Sequence, residues 1–311
     1  MRMREALAGL INSLGWETES DTTTGMVSQL SRMIEVTDGQ ITVREQPEYA
    51  CKLGNVGYES VDEAIAEANG RTVKLMADLD QTVAIPAGVT ATLHLNGHSI
   101  VTEQVAITNS GKLTVKGGTV ESTKSFAIVS NSGATTRVER CTVKSVEGAV
   151  ITGKAKGTTV VITGCDTYAS DNAVVAGNGS RGFGGNAITI RDSKLHGAIV
   201  TSGYIACGIY CPTDDTFDVK NCVIDVTGGC GVLSRAGVVN LMGTTIATNG
   251  TAEGMVGDAQ AKAPCAALVF DEESNYPSLS DEDGIHAYTC HISSEVAESH
   301  VIGDGDRIEV I

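Results

Sequence analysis

The chain has 311 residues and a formal net charge of −16, with 36 glycines, five prolines and only 4% aromatic residues. Nucleic acid is excluded as a partner because phosphate binding needs clustered Lys and Arg, and an anionic membrane surface is disfavoured for the same reason. No window reaches the roughly 18 apolar residues of a membrane span, so no membrane insertion is expected, and nine cysteines scattered through a large chain are not the framework of a small disulfide-bonded domain.

Residues 1–45 predict a helical attachment or oligomerisation module. Met1–Trp16 lacks a small-residue cleavage site and reads as a mature helix, not a signal peptide. Leu7, Leu10, Ile11 and Leu14 form one amphipathic stripe, and Met26, Val27, Leu30, Met33 and Ile34 form a second after a T-T-T-G turn. Two helices this short bury too little surface to stand alone, which points to other copies of the chain or other proteins as their partner. Residues 46–71 read as a linker and a capping helix. Ser60-Val61-Asp62-Glu63 is a capping box that opens it, Val61, Ala64, Ile65 and Ala68 share a face, and Gly70 stops it.

Residues 72–270 carry an internal repeat, the mark of a solenoid. LHLNGHSI, LTVKGGTV, RVERCTV, VVITGCDT, ITIRDSKL, FDVKNCVI and VNLMGTTI align on the anchors Leu95, Val115, Val138, Ile162, Ile190, Val219 and Leu241. All but Val138 have an apolar residue two positions earlier, the period of a strand with one buried face. A second apolar position usually follows five residues after the anchor. A third strand appears in VAITNSG, FAIVSNSG, AVITGKAKG and GVLSRAG, each closing on a glycine. The expected fold is an all-β solenoid, a right-handed parallel β-helix with three strands per coil. Two coils hold longer insertions, at 176–186 and 202–215, and residues 271–311 read as a C-terminal cap.

The string from Tyr58 to Ile100, YESVDEAIAEANGRTVKLMADLDQTVAIPAGVTATLHLNGHSI, resembles the opening of pectate-lyase-like β-helix proteins, and the N-terminal segment with its T-T-T-G hinge is similar to attachment regions of phage head-fibre and tail-fibre proteins. The first resemblance implies the fold. The second implies a non-enzymatic virion subunit, a fibre or decoration protein assembled in the host cytoplasm, homotrimeric, bound to other virion proteins through its N-terminal module and touching a cell-surface glycan. The alternatives are a tailspike-like polysaccharide depolymerase and a bacterial surface adhesin. Polygalacturonases of the family carry N-T-D, D-D and G-H-G motifs; here only a D-D is present, at Asp214 and Asp215.

Glycoside cleavage needs two placed carboxylates, for which Asp214, Asp215 and Asp218 are the best candidates. Phe183, Tyr204 and Tyr210, rare aromatics in the insertions, are candidate glycan contacts, with Arg181 beside them. Cys141, Cys165 and Cys222 recur three residues after an anchor and predict a buried column of small side chains, with a Cys141–Cys165 bridge as the alternative. No cofactor or metal site is expected. Cys207 and Cys211 lack further ligands, His286, His291 and His300 lack metal spacing, and Asp281-Glu282-Asp283 and Asp304-Gly305-Asp306 read as solvated turns.

Overall fold

The computed structural model describes residues 49–177, 182–198, 207–249, 266–270, 279–294 and 307–311, together with the backbone of strands at 34–37, 40–43, 254–256, 261–263 and 301–302. The chain divides into two compact units, Met1–Glu48 and Tyr49–Ile311. In the first, Ile34–Thr37 pairs antiparallel with Gln40–Val43. Ile34, placed by its sequence at the end of a helical stripe, therefore opens a strand. Leu7, Leu10, Ile11, Leu14 and Leu30 lie outside the described residues.

The second unit is a right-handed parallel β-helix of about eight turns with three parallel sheets. The first sheet stacks Thr90–His94, Lys112–Lys116, Thr135–Glu139, Thr159–Thr163, Ala187–Arg191, Thr216–Lys220 and Val238–Met242 in unbroken register. The second stacks segments from Ser99–Thr102 to His291–Ser294, and the third runs from Val83–Ile85 to Val301–Ile302. Alternate residues of each first-sheet strand point inward, so Leu93, Val115, Val138, Ile162, Ile190, Val219 and Leu241 form one buried column. Register corrects the first anchor. Leu93, not Leu95, pairs with Val115, while Ile100 pairs with Val120, because the first corner is two residues longer than the next.

The corner between the first and second sheets repeats one hydrogen-bonding device. The residue two after the anchor is left-handed: Gly117, Arg140, Gly164, Asp192, Asn221 and Gly243 all have positive φ. Except at Gly118, the residue after it turns a small donor back onto the carbonyl two positions earlier. Cys141 donates to Glu139 O at 3.4 Å, Cys165 to Thr163 O at 3.4 Å, Ser193 to Arg191 O at 2.7 Å, Cys222 to Lys220 O at 3.2 Å and Thr244 to Met242 O at 3.2 Å. Hydroxyls do more than thiols, since Ser193 Oγ also accepts the Cys165 N–H at 3.1 Å. The cysteines are free, as a column of small side chains requires, and burial pushes the Cys141 thiol up to about 12.

Both ends depart from the sequence reading. Residues 46–71 are more than a linker and a helix: Cys51–Leu53 and Val56–Tyr58 form a hairpin, and Cys51–Leu53 pairs antiparallel with Thr72–Leu75. An antiparallel strand ends the parallel ladder, and the helix Val61–Ala66 (α1), capped by Ser60 accepting the Glu63 N–H, packs against Cys51–Leu53 and Val83–Ile85. At the other end the ladder runs past Phe270. Gly284–Tyr288 pairs with Val238–Met242, His291–Ser294 with Thr245–Asn249, and Ile308–Val310 with Gly284–Tyr288. Thus 271–311 contributes further coils, its repeat hidden by the insertion ahead of Gly284.

The third sheet holds the largest surprise. Cys207–Cys211, assigned from sequence to an insertion, is one of its strands and is buried on both faces, as is Cys230–Ser234. Its outward side chains belong to a second apolar cluster of Ala173, Ala176, Cys207, Tyr210, Cys230, Leu233, Ala266 and Val269. Strands covered on both sides lose the period-2 signal.

Two stability measurements test this arrangement. Val115→Asp places a charge in the interior column and costs on the order of 4 kcal/mol in urea unfolding, whereas Thr114→Asp, outward between Thr92 and Arg137, changes stability by less than about 0.5 kcal/mol. Ser193→Ala strips the Cys165 N–H of its acceptor and costs about 1–3 kcal/mol, with Lys194→Ala on the exposed face as the silent control.

Candidate functional site

Asp214, Asp215 and Asp218 lie where the chain turns from the third sheet into the first, and they face different ways. Asp215 points inward and is 0% exposed. Its Oδ1 accepts the Asn186 backbone N–H at 2.9 Å and the Asn186 side-chain amide at 2.8 Å. Among the described residues its Oδ2 has no hydrogen-bond partner, and it occupies the space that a Cβ on Gly177 would need. Burial pushes the carboxyl from 3.8 up to about 6, with the Asn186 bonds pulling it down and the Asp214 charge pushing it up. Asp214 is exposed beside Gly184, and Asp218 stands on the outer face of the first sheet, accepting from Asn240 Nδ2 at 2.9 Å. A wall of sheet separates Asp215 from Asp218, so this trio does not flank one glycosidic bond.

Of the candidate aromatic patch, the described residues correct one member, Tyr210. Tyr210 is 4% exposed within the second apolar cluster, because Cys207–Cys211 is a strand and not a projecting loop. Phe183 is partly buried, and Arg181 and Tyr204 lie outside the described residues. His286 faces Glu309 at 3.3 Å, Asp283 accepts from Ser280, and His300 and Asp304–Asp306 are outside the described residues. Among the described residues no group of three or more His, Cys, Asp or Glu is placed to hold a metal ion.

Two outward-facing clusters escaped the sequence reading. On the second sheet, Tyr168 and His196 occupy neighbouring rungs with ring centroids 4.7 Å apart and planes 16° from parallel. His196 Nε2 lies 3.1 Å from Asp166 Oδ1, and Nδ1 lies 3.9 Å from Asp225 Oδ2. The carboxylates meet opposite nitrogens, so they share no common point for a metal; they suit a clamped imidazole. Burial and then the Asp166 carboxylate hold the Tyr168 phenol above its ordinary range.

On the first sheet, a cleft of about 320 Å³ is lined by Arg191, Asp218, Lys220, Asn240, Met242 and Tyr288, with the backbone of Val219 and Leu241 between. Register builds it. Arg191, Lys220, Met242 and Tyr288 stack on successive rungs, and Asp218 stacks on Asn240. Neither Arg191 nor Lys220 makes an ion pair among the described residues. The sequence carries these residues directly after the inward positions Ile190, Val219, Leu241 and Ala287, but only the register shows that they share one column. A second cleft, of about 500 Å³ at the corner between the first and second sheets, balances Arg140 and Lys194 against Asp166 and Asp192.

The buried carboxyl gives a pH signature. The folded state holds the Asp215 proton more tightly than an unfolded chain does, so its contribution to stability is complete below about pH 4 and is lost as pH rises through 6. Asp215→Asn removes that loss. In urea unfolding the variant exceeds the parent by on the order of 2–3 kcal/mol at pH 7.5, and the difference closes near pH 4.

Comparison with known proteins adds no relative: no protein-family model, no curated protein and no solved structure matches the chain.

Proposed function

We propose that the chain is a non-enzymatic structural subunit of a phage particle, a fibre or decoration protein whose N-terminal residues attach and trimerise it while the β-helix projects toward host glycans. The observation that carries this reading is the division at Glu48, with a β-helix unit that closes its first coil using its own hairpin and helix. That closure uses no residue of the N-terminal segment, whose first apolar stripe, Leu7, Leu10, Ile11 and Leu14, suits association with other chains. The resemblance of Tyr58–Ile100 to pectate-lyase-like proteins, and of the leading segment to fibre attachment regions, supports the same assignment.

Opposed orientations of Asp215 and Asp218 weigh against a depolymerase centred on Asp214, Asp215 and Asp218. Acid and base, or acid and nucleophile, must reach the same bond from its two sides. One of these carboxyls sits inside the coil and is engaged by Asn186.

Oligomeric state and particle content test the proposal. The intact chain runs as a trimer in light scattering, and the double variant Leu10→Asp with Leu14→Asp runs as a monomer with an unchanged β-type circular dichroism spectrum. Mass spectrometry of particles released from cells carrying the encoding genome detects the chain. A monomeric parent, or particles without it, contradicts the reading.

A further inference from the structure

We infer that the first-sheet cleft between Arg191 and Tyr288 is a binding site for an acidic saccharide, one bearing carboxylate groups. The inference rests on the glycan-contact reading above and adds the place and the chemical class.

Placement comes first. Arg191, Lys220, Met242 and Tyr288 are consecutive Cα partners across four strands, so at about 4.8 Å per rung the column extends roughly 14 Å. It lies on a rigid ladder whose inward neighbours Ile190, Val219, Leu241 and Ala287 are buried. A cleft of about 320 Å³ has the size of a small-ligand site and is too small for a protein partner's surface.

Chemistry comes next. Met242 is 48% exposed, an unusual outlay for a methionine, and with the Tyr288 ring beside it gives an apolar platform for the C–H face of a sugar. The Asp218–Asn240 pair uses one carboxylate oxygen and one amide hydrogen on each other, which leaves an acceptor oxygen on each residue and a second amide hydrogen for hydroxyl groups. Arg191 and Lys220 stand on adjacent rungs, where like charges repel. In a protein of net charge −16, acidic residues are plentiful, yet among the described residues neither has one within ion-pair distance. Two cations, a hydroxyl-binding pair and an apolar platform in one cleft match a sugar carrying a carboxylate, and a guanidinium grips that group through two parallel hydrogen bonds. The larger corner cleft makes the contrast, since its two cations, Arg140 and Lys194, share their walls with two carboxylates, Asp166 and Asp192, and no aromatic ring lines it.

Isothermal titration of the full chain at low ionic strength decides the matter, with tetragalacturonate, hyaluronan tetrasaccharide and tetrasialic acid as acidic probes and maltotetraose as the neutral one. At least one acidic probe binds, and maltotetraose binds about tenfold more weakly or not at all. Arg191→Ala and Lys220→Ala each weaken the acidic probe about tenfold without moving the thermal melt, added salt weakens it further, and Lys144→Ala on the second sheet has no effect. Absence of binding by all three acidic probes overturns the inference, as do equal binding of maltotetraose and unchanged affinity in both cation variants. Failure here with the chain present in particles as a trimer leaves the fibre reading standing; a bound acidic probe with the chain missing from particles does the reverse.

Discussion

Each strand of the β-helix lies in register on its counterpart from the previous coil, about 4.8 Å away, so every residue must suit the residues directly above and below it. This constraint turns the chain into columns. The anchor column is aliphatic without a break from Leu93 to Leu241, because one charged member would have no water and no partner. Corner columns are small and carry donors, because each must return to a carbonyl while leaving room for the next. Outward columns are free of both demands, and there composition varies from coil to coil.

The corner after the first sheet shows why the cysteines occur where they do. A left-handed residue turns the chain, and the next side chain must be short enough for the corner and able to donate to the carbonyl two residues earlier. Serine and threonine meet both needs and also accept a neighbour's N–H. Cysteine meets the steric need with a weaker bond. Arg140 adopts φ 49° and Asn221 φ 53° at the left-handed position, where asparagine is tolerated more readily than arginine. The corner before the first sheet is managed with buried amides instead. Asn109 donates to Thr135 O and Thr136 Oγ1, and Asn186 joins Ala155 O, the Thr158 N–H and Asp215. Asp215 is the charged member of that network, and burial, only partly offset by the Asn186 hydrogen bonds, displaces its carboxyl upward from the usual range.

Function on such a framework is written on the outward columns, at little cost to the fold, since an exterior residue can change without disturbing the core beneath it. The stacked Tyr168 and His196, and the run from Arg191 to Tyr288, are both products of register between coils separated by more than twenty residues. They need no loop to assemble them. The third sheet illustrates the opposite case, for its exterior is a second apolar layer and Tyr210 is consumed in packing.

Much of this was legible in the linear sequence. The recurring anchors, usually with an apolar residue five positions on, marked the parallel coil, because an in-register solenoid forces the same inward residue types to recur, and the Ser60–Glu63 box marked the helix α1. Cys141, Cys165 and Cys222 were legible as a column because a corner of fixed shape admits only small side chains. What tertiary structure alone decided was register and exposure. Leu93 displaced Leu95 as an anchor because one corner is longer; Cys207–Cys211 became a strand because burial on both faces erases alternation; Asp214, Asp215 and Asp218 diverged because neighbours in sequence point to opposite sides of a sheet. Residues in the cleft are brought together across coils, by hydrogen bonds between strands distant in sequence, and that adjacency exists only after the chain has wound.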